Sequence, residues 1–171
     1  MRTIDCQRVV LEPQVAAHAA EMFVVLSDPA LYEYENEPPA SVDWLRARLA
    51  RLESRQSADG TQRWLNWVIR RREDGLIGYV QATVFPTGRA AIAYVLASGY
   101  WGRGLAGEAC QAMIAELAEH YGVVTVFAIF KRRNARSARL LARLGFAAAR
   151  AESAGVEVEA DELLMLRDLN A

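Results

Sequence analysis

The spacing of apolar positions changes several times along the chain, and each change marks an element. RVVLEP, residues 8–13, predicts a short opening strand stopped at Pro13. Val15, Ala19, Met22, Phe23 and Leu26 recur at helical spacing and predict an amphipathic helix over 14–26. The stretch SDPALYEYENEPPA, residues 27–40, is punctuated by Pro29, Pro38 and Pro39 and is expected to be irregular. Ser41 is suited to cap a second helix, whose stripe is Val42, Leu45, Leu49 and Leu52. Strands follow: RWLNWVIRRRE (63–73) and LIGYVQATVF (76–85) flank Asp74-Gly75, a dipeptide suited to a tight hairpin. AAIAYVLA (90–97) comes after a second short turn, so these three strands predict an antiparallel meander.

The second half returns to helical spacing. A helix is expected over 104–120, with Leu105, Ala109, Met113 and Leu117 on its inner face. Glu108, Glu116 and Glu119 are assigned to its solvated side, and Gly122 is placed to end it. VVTVFAIF (123–130) predicts a strand, and a short helix carries Ser137 to Leu144 before a stop at Gly145. FAAARAE (146–152) and ELLMLRDL (162–169) are expected as closing strands. No repeat or linker interrupts the series, which predicts one α+β domain over 1–171 built on a mixed sheet.

Composition narrows the function classes. The chain has 171 residues, 53% of them hydrophobic and 24% charged, enough for one domain with a core. Its net charge of −1 excludes a broad basic footprint, so no nucleic-acid partner is expected. No apolar run is long enough to span a bilayer, and MRTIDCQRVV places Asp5 and Gln7 where a secretory leader is apolar. A cytoplasmic protein without a membrane partner is expected. Cys6 and Cys110 lack metal-ligand spacing and are assigned to packing as reduced thiols, so no metal is expected. His18 and His120 are assigned structural roles.

GRGLAG, residues 102–107, carries the candidate chemistry. Glycines let the backbone approach an anion, successive N–H groups point at it, and a helix N-terminus adds its dipole. The spacing is that of the dinucleotide fingerprint, but that fingerprint needs a series of βαβ units and an acidic residue after the next strand. Here an antiparallel array precedes the motif, and the next strand ends in Phe130-Lys131-Arg132-Arg133. The motif therefore implies a pyrophosphate more securely than a nicotinamide.

GYWGRGLAGEA (99–109), followed by NARSARLLARLGF (134–146), resembles the GNAT superfamily of acyl-CoA-dependent N-acetyltransferases. More narrowly it resembles the branch of the ribosomal-protein-alanine N-acetyltransferases, the RimJ/RimL-like enzymes. The resemblance implies a mostly antiparallel mixed sheet of six or seven strands flanked by about four helices. It also implies a splayed parallel pair, AIAYVLA and TVFAIF, that accepts the pantetheine arm of acetyl-CoA. Val95 is then expected to hydrogen-bond that arm as if it were an added strand. Backbone N–H groups of Trp101, Gly102, Arg103, Gly104, Leu105, Ala106 and Gly107 are expected to hold the pyrophosphate. Asn134, which alone reads as a helix cap, is implied to bind the cofactor arm. Ser137 is implied to sit near the sulfur as the acid for the leaving thiolate. Among the basic cluster Lys131, Arg132, Arg133, Arg136 and Arg139, the last is preferred for the 3′-phosphate.

The implied reaction is direct attack of a primary amine, on a small molecule or a protein N-terminus, upon the thioester carbonyl. Two proton-handling positions of the family are altered: Ala91 stands where this branch often has Glu, and Leu141 where many members have Tyr. Glu33, Glu35 and Glu37, interleaved with Tyr32 and Tyr34, offer replacements near the acceptor, with Glu35 the preferred base. Trp64 and Trp67 are candidates to line the acceptor pocket. The alternative is an acyl-CoA-binding sensor or scaffold with weakened catalysis. Either a monomer or a homodimer is compatible with the chain.

Overall fold

A computed structural model describes residues 1–34 and 36–170. Eight strands form one sheet in the order β1-β2-β3-β4-β5-β6-β8-β7. β1 (Ile4–Asp5) and β2 (Val10–Pro13) form the first edge, followed by α1 (Ala19–Leu26) and α2 (Val42–Leu52). The meander is β3 (Arg63–Arg71), β4 (Gly75–Val84) and β5 (Arg89–Leu96). Then come α3 (Leu105–Tyr121), β6 (Thr125–Lys131), α4 (Ala135–Arg143), β7 (Ala147–Ala149), α5 (Ala151–Ala154) and β8 (Glu162–Asp168). All pairings are antiparallel except β5 with β6.

Strand alternation divides the core between two faces. Leu65, Trp67 and Ile69 of β3 pack with Ala109, Met113 and Leu117 of α3 and with Leu141 of α4. Between them, Val68 faces the other way and packs with Met22 of α1 and with Leu45 and Leu49 of α2. Ala91 shares the face of α1 and α2, and beyond β5 this face is covered by a smaller cluster in which Phe127, Ala154 and Leu164 are buried.

The expected α+β architecture is present, with more pieces than expected: eight strands and five α-helices among the described residues. β1, two residues long, is too short to show a period. The expected strand over 146–152 stops at Ala149, and Ala151–Ala154 turn into α5. Alanine dominates that stretch and, carrying no β-branch, commits weakly to a strand. The expected helix over 14–26 begins as a 3-10 turn, Ala16–His18, before α1. Glu116 is not on the solvated side of α3. It is 4% exposed, and Arg2 Nε donates to its carboxylate at 2.7 Å.

Candidate functional site

β5 and β6 are in register at only three pairs, Arg89 with Thr125, Ala90 with Val126 and Ala91 with Phe127. Beyond Ala91, β5 stays laddered to β4 as far as Leu96 opposite Gly78. β6 stays laddered to β8 as far as Lys131 opposite Glu162. Each strand follows its outer neighbour and the parallel pair divides. The β6-side edge of Ile92–Leu96, which includes Val95, therefore has no strand partner.

The glycine turn follows β5. Gly102 and Gly104 have φ of +74° and +76°, a region that favours glycine, and Gly104 is the N-cap of α3. The Trp101 amide donates to Ser98 O at 3.1 Å, and the Glu108 amide closes the first helical turn on Gly104 O. Among the described residues, none accepts a hydrogen bond from the N–H groups of 102–107. The turn thus presents six consecutive unpartnered amides at a helix N-terminus, the arrangement that binds phosphate. Trp101, expected to contribute a seventh, instead spends its amide within the turn, and its indole Nε1 donates to Leu96 O at 2.6 Å. Arg8 braces the other side of the turn: Nη1 donates to Arg103 O at 2.8 Å, while its backbone N and Nε each reach the Glu108 carboxylate at 2.7 Å. Glu108 is therefore an anchor, not a solvated side chain.

α4 starts where β6 ends. Asn134 Oδ1 accepts from the Ser137 amide at 3.1 Å and so caps the helix. Arg136 lies 4.1 Å above the Trp101 ring and is ion-paired with Glu33. Arg133 Nη2 donates to Tyr34 O at 3.2 Å, and its guanidinium lies over the Tyr34 ring. The connection from α1 to α2 is thereby docked on α4 and on the glycine turn. Lys131 is bound by Glu159, Asp161 and Glu162. Arg132 donates to Glu162 O at 3.2 Å. Arg139 is exposed and, among the described residues, has no ion-pair partner.

Of the acidic trio in that connection, Glu33 is engaged by Arg136 and Glu37 is exposed. Glu35 lies outside the described residues. The same connection is held at its start by Asp28, whose carboxylate accepts from Ser98 N at 2.8 Å and Ala30 N at 3.0 Å. Hydrogen bonds from Ser98, side chain and backbone, and then from Ala30, hold the Asp28 pKa below the ordinary carboxyl range. Stabilisation by Asp28 is therefore full above the unfolded value of about 3.9 and disappears as pH falls through the lower folded value. Asp28→Asn is expected to flatten the loss of Tm with acid between about pH 5 and pH 2, measured by thermal unfolding beside the wild-type protein.

The two tryptophan candidates separate. Trp67 is fully buried on the α3 face and its Nε1 donates to Arg2 O at 3.0 Å, so it belongs to the core. Trp64 lines a groove of about 450 Å³ between α2 and the sheet, together with Arg48, Arg51, Asn66, Gln81 and Thr83. Gln81 pairs with Ala93 and Thr83 with Ala91, so the groove adjoins β5 on the face opposite α3. A second groove, of about 810 Å³, follows α5 and is lined by Glu152, Glu157, Glu159 and Glu162. At the altered family positions, Ala91 packs against the Phe127 cluster and Leu141 is fully buried. Tyr94, absent from the sequence expectations, points to the α3–α4 side, where it packs on the main core.

An open parallel pair leading into a free-amide turn is the frame of an acyl-CoA-dependent transferase, and comparison with known proteins agrees. The sequence profile of the acetyltransferase (GNAT) domain matches residues 8–147. The chain belongs to this family and is an acetyltransferase of it. Among curated proteins, none matches it by sequence. Solved structures share its fold. A ribosomal-protein-S5-alanine acetyltransferase from Vibrio fischeri is 20% identical with a TM-score of 0.79, over 98% of this chain and 97% of that one. RimJ of Mycobacterium smegmatis, in complex with CoA-disulfide, is 20% identical with a TM-score of 0.80, over 98% and 88%. A GnaT-family acetyltransferase from Bordetella pertussis is 25% identical with a TM-score of 0.75, over 98% and 99%. No helix among the described residues is long and apolar enough to cross a membrane, and no group of His, Cys, Asp and Glu there is placed to hold a metal.

Proposed function

We propose that this protein moves acetyl from acetyl-CoA to a primary amine, either a protein N-terminus or a small molecule. The six unpartnered amides of residues 102–107, directly after the strand that leaves its parallel neighbour, carry this reading. The pyrophosphate sits on those amides, and the pantetheine runs along the free edge of β5 at Val95. Asn134, which holds the first turn of α4, fixes Ser137 near the sulfur, and Arg139 takes the 3′-phosphate. The amine approaches over Ala91 and Ala93, beside the groove of Trp64, Gln81 and Thr83. With no carboxylate at 91, the proton leaves through solvent or an acidic side chain of the docked connection, for which Glu35 is the preferred group. A Lys-like amine, with a pKa of about 10.4, costs on the order of 4–5 kcal/mol to hold neutral at pH 7, so acceptors of lower basicity, such as α-amines near 7.7–8.0, are favoured.

Thermal unfolding with acetyl-CoA, CoA and NADPH in parallel tests the donor site. At about 100 times Kd a specific ligand adds roughly 2.7 kcal/mol, an upward shift of about 5–10 °C for a domain of this size. The shift is expected with both CoA species and absent with NADPH. A shift with NADPH alone, or with none, overturns the reading. CoA release over a panel of amines then separates transfer from an acyl-CoA-binding sensor or scaffold.

A further inference from the structure

The hydroxyl of Tyr94 is buried and makes no hydrogen bond of regular geometry. It lies beside the Ser137 hydroxyl and near the Cys110 thiol, while the ring packs against the main core, as Ala138 and Leu140 of α4 also do. Burial pushes the phenol well above its ordinary value, so it is neutral throughout the working pH range. A buried hydroxyl lowers stability unless a neighbour shares a hydrogen bond with it, and the Ser137 hydroxyl is a neighbour within reach. Tyr94 stands on β5 inside the segment that has left β6, and Ser137 stands on the first turn of α4, which faces it across the opening.

We infer that Tyr94 is a positioning residue: its neutral hydroxyl donates to Ser137 Oγ and turns the Ser137 proton toward the CoA sulfur. The inference rests on the placement of Ser137 in the proposed function. Ser137 has one proton and a free rotor. Its backbone amide is already committed to Asn134 Oδ1, which fixes the residue but not the direction of the hydroxyl. A donor behind the oxygen sets that direction. In the reaction the amine nitrogen bonds to the carbonyl carbon and the carbon–sulfur bond breaks, its electron pair passing to sulfur. The proton that nitrogen loses balances the one sulfur gains. Ser137 steadies the developing thiolate by a hydrogen bond, and Tyr94 contributes by keeping that bond aimed. Leu141, four residues after Ser137, is wholly buried and brings no hydroxyl, while Tyr94 brings one to Ser137 from the strand.

The test titrates the thiol of bound CoA by thiolate absorbance, using the complex minus apoprotein difference to remove Cys6 and Cys110. The wild-type complex is expected to titrate below the ordinary thiol value of about 8.5, with Ser137→Ala and Tyr94→Phe both moving it back up. In acetyl transfer, Tyr94→Phe is expected to lower kcat about tenfold, in line with losing one orienting hydrogen bond, while the KM for acetyl-CoA stays unchanged. In the Ser137→Ala background the same change should cost nothing further. A bound thiol whose titration ignores Tyr94→Phe, a wild-type kcat in that variant, or an equal loss in the Ser137→Ala background overturns the inference while leaving the donor site intact. Failure of the wild-type protein to bind CoA overturns both readings.

Discussion

Gly78→Ala is expected to unfold the donor edge of the sheet. A Cβ built on Gly78 meets Val95 O at 2.1 Å and Leu96 Cα at 3.0 Å, and both are backbone atoms that no rotamer change can clear. Gly78 pairs with Leu96 at the far end of β5, where β4 is the only strand still holding it. Relieving the contact forces β4 and β5 apart along the segment proposed to carry pantetheine. Overpacking of this kind costs about 3 kcal/mol or more, which lowers Tm by roughly 6–12 °C. The stabilisation by CoA should fall with it, because Val95 moves with its carbonyl. Gly99→Ala is the control: nothing lies within 4 Å of its added Cβ, and its φ is not positive. Calorimetry of the two variants with and without CoA decides the matter. Equal melting and equal CoA stabilisation would show that β5 tolerates displacement.

That glycine illustrates what local sequence does not reveal. Gly102 and Gly104 were legible because the turn's chemistry itself requires their backbone angles, and Asp74-Gly75 was legible because a hairpin needs such a dipeptide. Gly78 sits in an apolar run and owes its identity to a strand it meets only after folding. The same holds for Arg8 with Glu108, Arg2 with Glu116 and Arg136 with Glu33, separated by 100, 114 and 103 positions. Charge pairing across such distances leaves no period behind. Glu116 is different, because a signal was present. It follows Ala109 by seven residues and Met113 by three, which places it on the inner stripe of α3.

The site divides in the same way. Backbone groups that meet a phosphate were anticipated by motif, since glycine and helix start are both written locally. Tyr94 was not, because a tyrosine in a strand looks like core until the neighbour of its hydroxyl is known. By sequence the acidic connection offers Glu33, Glu35 and Glu37 to the acceptor, and the fold spends Glu33 on Arg136. Docking of that connection on Trp101 and α4 is a product of tertiary packing, which decides which carboxylates remain available for the amine.

Ser137→Ala is expected to reduce kcat by about 100- to 1,000-fold, within the range that a positioned acid or proton donor contributes, while leaving CoA binding and stability nearly unchanged. Its structural contribution is through the backbone: the amide donates to Asn134 Oδ1, and alanine keeps that bond. The hydroxyl faces the Tyr94 phenol and takes no part in the cap, and alanine is the better helix former at the first turn of α4. A fall in turnover without a fall in Tm therefore isolates the hydroxyl. Steady-state kinetics with acetyl-CoA and the amine from the panel supply the first number, and thermal unfolding with CoA supplies the second. If kcat holds within a factor of two or three, protonation of the thiolate comes from solvent, and the serine serves only as a residue of the turn. If turnover and CoA stabilisation fall together, Ser137 binds the donor without assisting the departure of its thiol. Only the split result leaves the serine at the sulfur, which is the arrangement that gives a buried phenol beside it a purpose.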